Sequence, residues 1–203
     1  MHLHDRWWHT NLDLVAQTAR VQKQEARKRR VIEAAMRLAA DGGYDAVQMR
    51  EVAARADVAI GTIYRYFNSK DAVLVAGMAG WIGLARKSIA AEGIVADKPA
   101  DQLLAVLDST VRNSISQPRL TAALITALAS TEPEVAVYKL DVEQEMAGLI
   151  SDALGGFDGV DVDGVRRVIG HVWFSAIVSW VGGMRPAESV MEELDLAAHL
   201  LLD

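Results

Sequence analysis

The chain of 203 residues reads as an all-α protein with a short helix-turn-helix unit near its N-terminus and a larger helical remainder. Three observations predict this. Apolar residues recur at i, i+3, i+4 and i+7 through most segments, the spacing of one face of a helix. No segment alternates apolar and polar residues as a half-buried strand does. Residues 43–70, GYDAVQMREVAARADVAIGTIYRYFNSK, compress two striped helices and a tight turn into one unit.

Residues 1–24 are expected to form a partly disordered extension; the opening MHLHDRWWHTNLD has no basic stretch followed by an apolar one, so it is no secretory signal. His2, His4 and His9 lack a fixed scaffold and are read as part of that frayed segment rather than as metal ligands. Arg27, Lys28, Arg29 and Arg30 open a helix whose apolar positions are Val31, Ala34, Ala35, Leu38 and Ala39, and Gly42 with Gly43 stops it. Met49, Val52, Ala53 and Ala56 stripe the next helix. After a break at Asp57 to Ala59, Ile60, Ile63 and Phe67 begin another stripe. Asp57 belongs to the few residue types that tolerate a left-handed turn.

Asn68 or Ser69 caps a helix predicted from about Lys70 to about Ala91, and Gly93 ends it. Asp97 and Pro99 announce a helix to about Ser116, Pro118 suits the first turn of the next, and Thr131 with Glu134 has capping-box spacing. Residues 155–164, GGFDGVDVDG, form the clearest loop. An EF-hand is excluded there, because a loop counted from Gly159 has no ligand at its first position and Gly170 at its twelfth. Asp161 or Asp163 is expected to cap the helix that follows. That helix carries Val165, Val168, Ile169, Val172, Trp173, Ala176, Ile177 and Trp180, and is apolar enough to need cover on several sides. Val190, Leu194, Ala197, Ala198 and Leu201 stripe the last helix.

A composition 51% hydrophobic supports a substantial core. The absence of cysteine excludes disulfides and thiolate metal sites and suits a reducing cytoplasm. The longest strongly apolar run, Val172 to Val181, is about half of the roughly 20 residues a bilayer span needs, so no membrane helix is expected. The net charge of -6 is unevenly spread: residues 1–70 hold 12 Lys+Arg against 8 Asp+Glu, and residues 71–203 hold 9 against 19. A basic start joined to an acidic remainder suits a protein whose first part alone meets a polyanion.

Thr62, Tyr64, Arg65 and Tyr66 put hydroxyls, charge and aromatic surface on the second motif helix. Consecutive helical residues point about 100° apart, so at least one of the four is structural. Arg27 and Arg30 are candidates to neutralise phosphates. Gln48 and Arg50, at the start of the first motif helix, and Lys70, at the start of the helix after the motif, are candidates to orient a duplex by its backbone.

GTIYRYFNSK, preceded by VAARADVA and by a basic first helix, resembles the TetR family of one-component bacterial regulators. The resemblance implies about nine helices. Three make a DNA-binding head, residues 25–70, and the rest, residues 71–203, enclose a ligand chamber and form a homodimer through the final two. It also implies a repressor that leaves a palindromic operator when a large apolar effector binds. A closer likeness within the family, in VQMREVAARADVA, VRRVIGHVWFSAIVSW and LDLAAHLLL, implies that this effector is the coenzyme A thioester of a steroid catabolite. Met78, Trp81, Ile82, Leu104, Val111, Met146, Trp173, Phe174, Ile177 and Trp180 are the candidates to line the chamber. Arg112, Arg119, Arg166 and Arg167 are the candidates for its phosphates. His171 is read as a hydrogen-bonded structural imidazole.

Two positions depart from the family pattern. Asp57 replaces the common turn glycine, and Gln48 and Ala59 stand where serine or threonine often caps, so those caps are expected to be weak. The alternative reading is a helical enzyme or carrier for an acyl-CoA or lipid-like ligand. No GxSxG, HExxH or Gly-rich phosphate loop supports it, and no cofactor, metal or catalytic residue is expected.

Overall fold

The computed structural model describes the backbone of residues 3–203 and the side chains of residues 20–203. Among the described residues there are nine α-helices and no strand: α1 Leu3–Gly42, α2 Met49–Ala56, α3 Ile60–Tyr64, α4 Lys70–Glu92, α5 Pro99–Ser116, α6 Pro118–Leu128, α7 Ala136–Leu154, α8 Val162–Val181 and α9 Ser189–Leu202. Two 3-10 turns, Tyr44–Ala46 and Pro133–Val135, precede α2 and α7. Helix α1 starts at Leu3 and not at Arg27, so no break in the backbone marks the expected boundary after residue 24. His2 and the side chains of His4 and His9 lie outside the described residues.

The head is α1 to α3. Val31, Ala34, Ala35, Leu38 and Ala39 of α1 are all buried, and they meet Val52, Ala53 and Ala56 of α2 with Ile63 and Phe67. Asp57 ends α2 in the left-handed conformation, φ 52 and ψ 55, and the Val58 amide donates back to the Ala53 carbonyl at 3.1 Å. That closure turns the chain from α2 into α3. Gln48 and Ala59 make no side-chain cap, as their residue types implied. The α3 stripe is shorter than expected: Ile63 and Phe67 are buried, but Ile60, at the open start of this five-residue helix, is 38% exposed.

Ser69 caps α4 by accepting from the Ala72 amide at 3.3 Å, and Gly93 ends the helix at φ 64. By length and apolarity α4 resembles a membrane span, which the sequence reading did not anticipate. Half of that stretch is buried within the protein, since α4 packs against α1, α6 and α7 and so needs apolar residues on several sides. Arg86 of α4 clasps α7, with Nε 2.6 Å from Asp152 and Nη1 3.7 Å from Glu145. The guanidinium crosses Gly148, where an added Cβ would lie 2.1 Å from Nη1, so a side chain there would push the guanidinium aside.

Thr131 and Glu134 do not form the expected capping box. Pro133 opens a 3-10 turn at that point and displaces the start of α7 to Ala136, where no side chain caps it. Asp161 does cap α8, accepting from the Gly164 amide at 3.0 Å. Helix α8 packs on α6, α7 and α9, and α9 packs on α5. This cover is incomplete: Val168 and Phe174 on α8 and Leu196, Leu200 and Leu201 on α9 remain exposed.

Asp57 provides a test of the head turn. Replacing it with valine should lower stability by about 1–2 kcal/mol, because a β-branched side chain is strained at positive φ. Asp57→Gly should range from neutral to a gain of about 1 kcal/mol, since relief of strain competes with a more flexible unfolded chain. Urea unfolding followed by circular dichroism measures both.

Candidate functional site

One face of the head is open. Tyr64 ends α3 half exposed, and a Cβ on Gly61 would meet no atom of the chain within 4 Å. Gly61 therefore leaves open space beside α3. Arg65 and Tyr66 follow α3 rather than belonging to it, because the Tyr66 amide bonds the Ile63 carbonyl at 2.7 Å and tightens the chain into a turn. The Arg65 guanidinium lies 5.2 Å from the centre of the Tyr66 ring, with Nη2 3.3 Å from its hydroxyl. Tyr66 is half-buried against the core, so it is the most structural of the four residues weighed for this segment. Thr62 is half-buried, and Gln48 and Arg50 are exposed at the start of α2.

The basic residues divide into outward and inward groups. Arg30 is exposed and Arg27 partly so, whereas Arg29 pairs with Glu33 at 3.6 Å. Lys28 sits 5.8 Å from the Phe67 ring. Lys70 is directed into the head: its Nζ donates to the Tyr44 carbonyl at 3.2 Å and lies 3.6 Å from the centre of the Tyr44 ring. The side chain expected to face a phosphate thus holds the joint between head and body.

Three further ties complete that joint. The Tyr44 hydroxyl donates to the buried Asp71 carboxylate of α4 at 2.5 Å. Burial, then this hydrogen bond, pushes the Tyr44 phenol well above its usual range, so the proton stays on the donor. Arg119 of α6 donates to the Asp41 carbonyl at the end of α1 at 3.0 Å. Tyr138 of α7 donates to the Tyr66 carbonyl at 3.0 Å, and its ring packs 5.7 Å from that of Phe67. Burial raises the Tyr138 phenol as well. Neither tyrosine was singled out as a site residue from sequence, since nothing in local spacing pairs residue 44 with 71 or residue 66 with 138.

Of the cavities in the body, two are lined by residues weighed for the chamber. The inner one, about 30 Å³, is bounded by Met78, Trp81 and Ile82 of α4, Thr110 and Ser114 of α5, Thr121, Leu124 and Ile125 of α6, and Trp173 of α8. The outer one, about 340 Å³, lies between α7 and α8 and is lined by Val142, Met146, Trp173 and Phe174. Lys139, Arg166, Arg167 and His171 also line it. The chamber residues expected from sequence therefore separate: Met78, Trp81 and Ile82 are inner, Met146 and Phe174 outer, and Trp173 belongs to both.

Leu104, Val111, Ile177 and Trp180 line neither cavity. Val111 and Ile177 are wholly buried in the helix-packing core, and Leu104 and Trp180 pack half-buried against it. Of the four arginines weighed for phosphates, Arg166 and Arg167 reach the outer cavity, Arg112 pairs with Asp108, and Arg119 serves the joint. His171 corrects the sequence reading: it is exposed on the cavity wall and has no hydrogen-bond partner among the described residues. Lys139 was missed, as were Thr121, Leu124 and Ile125. The Leu124–Ile125 pair in the short helix after Pro118 was the available signal.

Two family models cover most of the chain: bacterial regulatory proteins of the tetR family over residues 31–76, and a tetracyclin repressor-like C-terminal domain over residues 96–201. The chain is 35% identical over 180 residues to the HTH-type transcriptional repressor KstR of Rhodococcus jostii (strain RHA1), spanning 88% of this chain and 84% of that protein. The crystal structure of a TetR transcriptional regulator from Rhodococcus sp. RHA1 superposes with a TM-score of 0.79 at 31% identity, over 89% of this chain and 97% of the other. Thermus thermophilus FadR, a TetR family repressor crystallised with lauroyl-CoA, shares the fold at 18% identity, with a TM-score of 0.67 over 86% of this chain and 92% of its own. These matches set aside the enzyme alternative. The chain belongs to the TetR family of bacterial transcriptional regulators.

Proposed function

We propose that this regulator is a homodimeric repressor that leaves its operator when a large apolar effector, a coenzyme A thioester of a steroid or related lipid, fills the body. The observation that carries this reading is the joint. Each of its ties comes from a helix that also lines a cavity: α4 through Lys70 and Asp71, α6 through Arg119 and α7 through Tyr138. A ligand that parts these helices moves the anchors of the head. Release needs only that the ligand bind the parted arrangement better than the operator-fitting one.

On the DNA side, Tyr64, Arg65 and Thr62 meet base edges or the groove wall across the opening at Gly61. Arg27, Arg30, Gln48 and Arg50 grip phosphates, and Tyr66 and Lys70 hold the reading segment in place. The apolar residues left exposed on α8 and α9, two helices that pack on each other, support a dimer, because exposed apolar surface of this kind favours an interaction face. Two heads then meet half-sites of an inverted repeat about 34 Å apart. Such a protein works in the cytoplasm, where bacterial DNA lies.

On the effector side, about 340 Å³ is at the lower end of ligand-binding pockets. Arg166, Arg167 and Lys139 suit the phosphates of coenzyme A, and the apolar walls suit the acyl or ring portion. Lauroyl-CoA in Thermus thermophilus FadR is a thioester of the same class on the same fold.

Tyr64→Ala should weaken operator binding by about 10-fold or more without changing the circular dichroism spectrum. Arg30→Ala should weaken all DNA sequences alike and reduce the salt dependence by about one phosphate contact. Fluorescence anisotropy with the upstream DNA of the chain's own gene, across a salt series, measures both. Light scattering should give a particle of twice 22.0 kDa, and Leu196→Asp with Leu200→Asp should reduce it to one chain. Titrating the DNA complex with a steroid-acid CoA thioester and with stearoyl-CoA should release the operator; indifference to both rejects the effector reading.

A further inference from the structure

Trp173 divides the inner cavity from the outer one, and its indole Nε1 is the one buried side-chain polar atom without a hydrogen-bond partner among the described residues. The side chain is only 8% exposed, so bulk solvent does not supply the missing acceptor. An unmet buried donor costs roughly 1–3 kcal/mol. No neighbouring protein group relieves it.

The buried polar side chains of the inner wall other than Trp173 are already committed as donors; the one further polar residue of the lining, Asn113, is exposed. Thr110 Oγ1 donates to the Leu107 carbonyl at 2.7 Å, Ser114 Oγ to the Thr110 carbonyl at 2.9 Å, and Thr121 Oγ1 to the Ser114 carbonyl at 2.7 Å. They offer a ligand lone pairs, not protons. The Trp173 N–H is thus the free buried donor at the divide, and what it needs is an acceptor. A plain hydrocarbon leaves it unmet. A carboxylate would need a cation, and those of the outer cavity, Lys139, Arg166 and Arg167, are absent from the inner wall. A neutral carbonyl matches both constraints.

We propose that the effector spans the two cavities with a carbonyl oxygen at the divide, held by the Nε1–H of Trp173, which makes Trp173 a specificity-determining residue. This rests on the effector reading above and narrows it: the ligand carries a neutral acceptor inside its apolar length. That acceptor is either the thioester oxygen or a ketone on a ring system.

The test uses full-length protein labelled with ¹⁵N at its five tryptophans, with the Trp173 signal assigned by Trp173→Phe. The probes are stearoyl-CoA, its thioether analogue S-octadecyl-CoA, and a steroid-acid CoA thioester with and without a ring ketone. The Trp173 indole proton should move downfield with a carbonyl-bearing probe and not with the thioether; the pair of steroids separates ketone from thioester. Trp173→Phe should raise the concentration for half-release of operator by about 3- to 10-fold more for the carbonyl-bearing probe than for the thioether. If that variant fails to fold, the wild-type spectra still decide. Probes that release the operator while no indole signal distinguishes carbonyl from thioether overturn the role of Trp173 and leave the effector reading standing. If no probe releases the operator or perturbs an indole, the effector reading falls and this inference with it.

Discussion

The attachment of Tyr44 to the first turn of α4 is the contact on which the arrangement of head and body depends. Asp71 is a buried carboxylate, and burying such a group is costly unless a donor meets it; the Tyr44 hydroxyl does so at 2.5 Å. Lys70, one residue earlier, grips the carbonyl of the same tyrosine and lies against its ring. Head and α4 are therefore fastened at both ends of one residue.

The two remaining ties share this logic and differ in where they grip. Arg119 holds the end of α1, which is the floor of the head, while Tyr138 holds the turn immediately after α3. Packing of Tyr138 on Phe67 joins that polar contact to the head core. The body thus reaches the segment after α3 through the Tyr66 carbonyl and the Phe67 ring. Its inner cavity is small and without cations, and its outer one is larger and lined by Lys139, Arg166 and Arg167.

Helical periodicity made most of the elements legible. Gly42–Gly43, Ser69, Gly93, Pro99, Pro118 and Asp161 mark helix ends in the structure much as their chemistry dictates, because caps and breakers act within a few residues of chain. The exceptions are equally physical. Pro133 replaced the expected capping box with a 3-10 turn, and α3 closed after Tyr64, which moved Arg65 and Tyr66 off the helix. For the body, an apolar stripe identifies a residue that will be buried but not what it will be buried against. Val111 and Ile177 became core and Met78 and Met146 became cavity wall, although all four sit on the same kind of stripe.

By itself the sequence determined the helical class, the helix-turn-helix with its left-handed Asp57, the basic head on an acidic body, and the family, because each of these is written in local spacing, composition or motif. Tertiary structure alone decided that Lys70 turns inward to Tyr44, that Tyr138 reaches Tyr66, and that Trp173 stands between two cavities with an unmet donor. These pairings join residues far apart in the chain, and such distances are set by how whole helices pack. A pattern that repeats every three or four residues carries no record of them.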